Sequence, residues 1–360
     1  MLHLIRFLAA SITLVSVGSA MPTERARTVP AAKMQRLHDE VKTPFRYGVV
    51  LRGEKGEMLD CPSVFRYGGR WYMLHAAIRH HNGYETHLAR SDDLLHWERL
   101  GKVLPLRGEG WDAWQANGGI ALYDIRWDGT HELRQHDGKY WLSYFGGARQ
   151  GYEPDPLAVR MAWTLRPTQP VEWTRLAANP VLSPTQADAR PFEDVTLYKS
   201  TVIHDEAETL GAPFVMFYNG KTERANHEAI GMAVSHDMVH WKRHGAGPVV
   251  DNVPGQPALS GDPQITKIGD VWVMFYFGFR WKPKAFDTFA ASYDLMHWTR
   301  WQGDHLVEPR EAYDRTFAHK PWVLKHDGVV YHFYCAEGSE GRVIALATSK
   351  PLKAGGAEAE

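Results

Sequence analysis

The chain lacks several features that would define a function class. It has only two cysteines, Cys61 and Cys335, in 360 residues. A disulfide-stapled scaffold and a multi-cysteine metal centre are therefore excluded. Its formal net charge is −1, and no run of Lys or Arg stands out. This removes the cationic footprint that nucleic acid or an anionic membrane surface requires. Beyond residue 20 there is no long apolar run and no Ser/Pro-rich linker. The one apolar stretch, Phe7 to Val17, follows Arg6 and precedes the small residues Gly18-Ser19-Ala20. It is too short for a comfortable membrane span and reads as a secretory signal over residues 1–20. The expected location is periplasmic or extracellular. An exported chain permits a Cys61–Cys335 disulfide; two buried free thiols are the alternative.

What the sequence has is a repeat. Ser-x-Asp-x-x-His-Trp occurs at Ser91–Trp97, Ser235–Trp241 and Ser292–Trp298. Each copy follows two strand-like runs at a similar distance. The first runs, Val64-Phe65-Arg66-Tyr67 and Arg70-Trp71-Tyr72-Met73-Leu74-His75, flank a Gly68-Gly69 turn, which is a hairpin signal. Comparable pairs recur at Ile265–Ile268 with Val271–Tyr276, and at Trp322–Leu324 with Val329–Tyr334. More degenerate copies begin at Ala116 and Glu193. A β unit copied around a ring predicts an all-β, five-bladed β-propeller. The expected organisation is a signal peptide at 1–20, an N-terminal extension at 21–44, the propeller at 45–352 and a disordered tail at 353–360. A motif present in three blades marks turns and inter-blade packing, since it cannot mark one site.

The site must then lie where the copies differ. Aligned at their openings, the copies place Asp60, Ala116, Glu193, Gly261 and His319 in one column. The next column holds Cys61, Asn117, Asp194, Asp262 and Lys320. First strands of propeller blades line the central channel, so these positions should meet at one mouth. The loops after the second strands should open on the same face. They contribute His80, His81, Arg149, Asn219, Lys221 and Arg280, with Trp114 as a ring for stacking. Such groups suit sugar hydroxyls and sugar faces. The basic residues also leave room for an acidic sugar.

The chain resembles the five-bladed propeller glycoside hydrolases, the broad group of families 43, 32, 68, 117 and 130. The carriers are Asp60-Cys61-Pro62-Ser63-Val64, Phe192-Glu193-Asp194-Val195, Ser260-Gly261-Asp262-Pro263 and the His-Trp repeats. The resemblance implies Asp60 as base or nucleophile and Glu193 as acid, with a third carboxylate among Asp194, Asp262 and Asp112. In family 43 that third carboxylate opens the second blade, where this chain has Asn117. The resemblance also places His319 where a calcium is often held, but the adjacent Lys320 disfavours a cation. No metal or other cofactor is expected to be required. The implied activity is exo-acting hydrolysis of oligosaccharides or polysaccharides, by a monomer or simple homo-oligomer. A phosphorylase like family 130, with Lys320, His319 and Arg280 holding phosphate, and a non-catalytic carbohydrate-binding propeller are the alternatives.

Overall fold

The computed structural model describes residues 27–352 except 224, 225 and 255. The expected signal peptide at 1–20 and the expected disordered tail at 353–360 lie outside the described residues.

Twenty strands are described, and by pairing they form five antiparallel sets of four. The first set is β2 (Glu57–Tyr67), β3 (Arg70–Arg79), β4 (Tyr84–Ser91) and β5 (Glu98–Leu104). The second is β6 (Gln115–Ile120), β7 (Tyr140–Gly147), β8 (Ala158–Thr164) and β9 (Thr174–Arg175). The third is β10 (Thr196–His204), β11 (Phe214–Thr222), β12 (His227–Ser235) and β13 (Lys242–His244). The fourth is β14 (Leu259–Ile268), β15 (Val271–Phe279), β16 (Phe286–Ser292) and β17 (Thr299–Arg300). The last is β18 (Phe317–His326), β19 (Val329–Gly338), β20 (Gly341–Thr348) and, from the other end of the chain, β1 (Phe45–Leu51). The innermost strands touch in cyclic order, β2 to β6, β10, β14, β18 and back to β2. The all-β propeller expectation holds. The ring is tied by β1 pairing with β20, a closure that the repeat alone does not reveal because β1 carries no repeat motif.

The repeat motif serves turns. Asp93 Oδ1 accepts the Leu95 and His96 amides at 2.9 and 2.8 Å, and its Oδ2 meets His96 Nδ1 at 2.7 Å. The same pattern recurs at Asp237 with His240 and at Asp294 with His297. Each Trp packs on the preceding set. Trp97 meets Phe333 edge-on at 5.8 Å, and Trp298 meets Phe217 at 5.8 Å. These aromatic contacts between adjacent sheets bury ring area and fix the angle between blades.

The side of the ring away from the blade openings is covered. The long β6–β7 connection crosses it: Arg66 N donates to His131 O at 2.8 Å, and Lys267 N donates to Ile125 O at 3.0 Å. His131 Nε2 lies 2.8 Å from Lys325 O. Helix α1 (Ala31–Val41) lays Met34, Leu37 and Val41 on Trp127 and the fourth sheet, and Glu40 accepts from Trp127 Nε1 at 2.8 Å. The extension before residue 45 is thus partly helix docked on the propeller. Both cysteines are buried and free.

Candidate active site

A β-bulge near the start of four inner strands sets the geometry of the mouth. The ladder skips Cys61-Pro62 in β2, Tyr198-Lys199 in β10, Asp262-Pro263 in β14 and Lys320-Pro321 in β18. Bulges re-aim side chains and bend the strand. Cys61, Asp262 and Lys320 all take positive φ, at 50°, 49° and 63°. Strain of this kind at a non-glycine residue persists only where the surroundings impose it, and it clusters at functional sites.

The bulges floor a cavity of about 250 Å³. Its walls include Cys61, Glu153, Tyr198, Lys199, Asn219, Glu228, Asp262, His319, Lys320 and Arg342, with the aromatic side chains of Phe145, Phe277, Phe279 and Phe317. Below it the axis narrows to a space of about 10 Å³, lined by the bulge residues and their prolines. This is room for about one water. The cavity is a dead end.

Four carboxylates stand in or behind the cavity with different surroundings. Asp60 is fully buried and does not line the cavity. Its Oδ2 lies 2.8 Å from Lys320 Nζ and 3.2 Å from Arg342 Nη1. Burial alone would raise its pKa, but the charges of Lys320 and Arg342 outweigh it and hold it well below the usual carboxylate range. Glu153, at the tip of the β7–β8 loop, accepts from Tyr84 OH at 2.9 Å and stands 3.5 Å from Lys320 Nζ. Asp262 is pushed up, first by burial and then by Asp60 and Glu153, against the pull of Lys320 and Lys199. Glu228, the second residue of β12, is pushed up to about 8 by burial and by the charges of Glu153 and Asp262. At neutral pH the chain therefore presents a protonated carboxyl in a pocket that also holds carboxylates.

Asn219 joins two of these groups. Its Oδ1 accepts the Asp262 amide at 2.8 Å, and its Nδ2 faces Glu228 Oε2 at 3.5 Å. Gly261 is required beside it, since a Cβ there would lie 2.0 Å from Asn219 Nδ2. His319 is held neutral, pushed down to about 3 by burial and by Lys320.

Of the residues expected at the mouth, Cys61, Asp262, Asn219, His319 and Lys320 line the cavity. The others do not. Glu193 is buried among Arg190, Arg243 and Tyr218, whose OH donates to Glu193 Oε2 at 2.7 Å. Asp194 is exposed. The reason is register: Tyr198, not Asp194, shares the bulge column with Cys61, Asp262 and Lys320, four residues further along. Lys199 stands where three other blades have proline, so alignment on proline passes over it. Asn117 is buried behind the floor, with Nδ2 3.2 Å from Cys61 Sγ. Asp112 is bound to Arg175 at 2.8 Å and Tyr144 at 3.1 Å. Trp114 is half-buried outside the cavity. His80, His81, Arg149 and Arg280 are exposed. Arg149 donates to Asp155 O, and Lys221 pairs with Asp155 at 2.7 Å.

Tyr198, Lys199, Glu228 and Arg342 have no motif. Glu228 shares its ladder position with Glu85 and Phe286, so the column itself gives no sign of chemistry. Glu153 stands in a second-strand loop, where the sequence already points to the mouth. Its acidity does not single it out, because Asp155 in the same loop and Glu223 in the next second-strand loop are acidic too.

Two solved structures, a BT0996 RGII complex and a glycoside hydrolase, are each 44% identical to this chain. Each comparison covers 90% of this chain and 97% of the other, with a TM-score of 0.86. The chain belongs to the glycoside hydrolases. A thermostable family-43 glycoside hydrolase shares the fold at a TM-score of 0.60 and 15% identity, over 84% of this enzyme and 96% of that chain. A β-1,2-mannobiose phosphorylase from Thermoanaerobacter sp. (strain X514) is 31% identical over 118 residues. That match takes in 29% of the enzyme and 37% of the phosphorylase, so the chain spans little more than a third of that relative's length. No family model matches the chain.

Proposed function

We propose that the protein is an exported, exo-acting glycoside hydrolase that removes terminal sugars from an oligosaccharide or polysaccharide. Glu228 is its general acid and Glu153 the carboxylate opposite it. The observation that carries this reading is that the two share one dead-end cavity while their surroundings differ. Glu228 is raised to about 8, and Glu153 sits against Tyr84 and the Lys320 ammonium. Glycoside cleavage needs one protonated and one ionised carboxyl flanking the bond. A closed floor favours the end of a chain over its middle, and the four Phe rings offer faces for a sugar. Export rests on the character of residues 1–20, and two carboxyl groups of this kind cleave a glycoside with no cofactor. The related BT0996 RGII complex supports a carbohydrate substrate.

A screen of aryl glycosides and plant or microbial oligosaccharides, with product analysis, tests the reading. Release of single sugars without added phosphate supports it. Mid-chain cleavage, or no cleavage of any glycoside, defeats it. The local likeness to a phosphorylase favours a second reading, in which inorganic phosphate attacks. It has less support, because Lys320 and Arg342 are already paired with Asp60, Glu153 and Glu337, which leaves Lys199 as the one lysine or arginine of the cavity wall without a carboxylate partner among the described residues to meet a phosphate dianion. Strict phosphate dependence would establish it.

A further inference from the structure

Lys199 is the cation in the cavity wall that the proposed chemistry leaves unused. It sits in the bulge of β10, where β2, β14 and β18 have Pro62, Pro263 and Pro321. It is only 7% exposed, and it lines both the cavity and the narrow space beneath. Its Nζ donates to Cys61 O at 3.1 Å. Gly119 leaves it room: a Cβ there would come within 3.3 Å of Lys199 Cε and 3.6 Å of Nζ.

The other two cations of the cavity are spent. Lys320 is held by Asp60 and Glu153, and Arg342 by Asp60 and Glu337. Among the described residues, no carboxylate oxygen lies within 4.0 Å of Lys199 Nζ. An ammonium has three donors. One is used, and two remain at the floor of a cavity that water enters only when no ligand fills it.

Charge balance says what those donors take. Lys199, Lys320 and Arg342 in the cavity wall are set against Glu153 in the wall, Asp60 buried behind it and the partly exposed Glu337 outside it, three against three, before any ligand enters. Asp262, when ionised, tips the balance to negative. A ligand carboxylate would therefore enter beside unmatched like charge in a poorly solvated space, which is costly. Neutral hydroxyls accept from Lys199 without that cost. We propose that Lys199 grips the terminal sugar at the floor of the cavity and that this sugar is uncharged, so that uronic acids are excluded. This rests on the hydrolase reading above and narrows it to neutral glycosides.

The test uses the mature enzyme, Lys199→Met and Lys199→Gln. Cleavage of aryl glycosides of neutral pentoses and hexoses is compared with that of aryl uronides. Binding of the free neutral sugars and uronic acids is measured separately by calorimetry. The expected result is cleavage of a neutral glycoside, with uronides slower by about 100-fold or more. Both variants should raise KM and weaken free-sugar binding by roughly 10- to 100-fold, the size of a hydrogen bond to a charged group, with a smaller change in kcat. Preference for a uronide overturns the proposal, as do unchanged KM and sugar affinity in the folded variants. If neither variant folds, the sugar preference of the wild type still decides. If neutral sugars bind through Lys199 but no glycoside is cleaved, the hydrolase reading falls and the binding role stands. If nothing binds and nothing is cleaved, both fall.

Discussion

Lys320 Nζ lies 2.8 Å from Asp60 Oδ2, and both side chains are buried. The pair runs from the first blade to the last, two neighbours in the ring that are joined through 260 residues of chain. Arg342 adds a second cation to the same carboxylate oxygen. Asp60 thus acts as the anchor that holds two cations in the cavity wall, and Lys320 reaches past it to Glu153. The residue that the family resemblance puts forward as base sets the charges of the cavity from behind.

Removing one partner of such a pair leaves a buried charge unmatched. Lys320→Met should lower stability by about 3–5 kcal/mol, while the double variant Asp60→Asn/Lys320→Met should recover part of that loss. The pH dependence follows from the depressed value of Asp60. Its contribution is fully present above the unfolded carboxylate value of about 3.9 and is lost as pH falls below it towards the folded value. Thermal melts from pH 7 to pH 3 check this. The double variant should show a shallower acid limb than wild type, and an identical limb would refute the linkage.

The fold was legible because the His-Trp repeat is local: seven residues carry a turn, a positive-φ residue at Leu94, Met238 and Leu295, and a packing Trp. The mouth was legible in three of the five blades. Asp60-Cys61-Pro62, Gly261-Asp262-Pro263 and His319-Lys320-Pro321 announce their bulges through proline, and Cys61, Asp262, His319 and Lys320 line the cavity. The third blade has Tyr198-Lys199 at that position, so a nearby Glu-Asp pair draws the alignment four residues upstream. Asp60 is a blade-opening carboxylate in sequence and in structure, yet nothing local reveals that Lys320 and Arg342 surround it. Glu228 was hidden for another reason. Its character comes from burial near Glu153 and Asp262, which are remote in sequence. Register and long-range electrostatics are the two things that a blade-by-blade reading cannot supply.

Glu193 offers a clean contrast. Its carboxylate is fully buried, held by Arg190 at 3.1 Å and by Arg243 and Tyr218. Glu193→Gln should destabilise the enzyme by about 3–5 kcal/mol, because two buried guanidinium groups lose their counter-charge. The folded fraction should keep kcat within a few-fold of wild type. Denaturant melts and kcat at a temperature where the variant is folded check this together. A stable variant with kcat down by about 100-fold or more would return Glu193 to the chemistry.

Glu153 should be needed whatever the leaving group. Glu153→Gln is expected to lose activity on both a natural glycan and a dinitrophenyl glycoside, because base or nucleophile acts in either case. Its side chain is 19% exposed, so the fold should tolerate the change better than it tolerates Glu193→Gln. Rate measurements on both substrates, with melting temperatures alongside, are the check. Full activity on either substrate would remove Glu153 from the mechanism.

Glu228 makes the sharpest claim because its pKa sits inside the working range. A general acid must be protonated, so with a value of about 8 the rate on a natural glycan should hold below that pH and fall above it. Glu228→Gln should lower that rate by roughly 10²- to 10⁴-fold, the usual contribution of proton transfer. It should also abolish the alkaline limb, since glutamine does not titrate. A dinitrophenyl leaving group needs no proton, so this substrate should be spared in the variant and should show no Glu228 limb in the wild type. Asn219→Ala gives a second reading of the same group, because Asn219 Nδ2 faces Glu228 Oε2 at 3.5 Å. Loss of that donor removes a contact that favours the ionised form, so the limb should move to higher pH. Profiles of kcat/KM against pH for the three enzymes on the two substrates separate these effects. If the alkaline limb survives in Glu228→Gln, the proton comes from another residue and the assignment is lost.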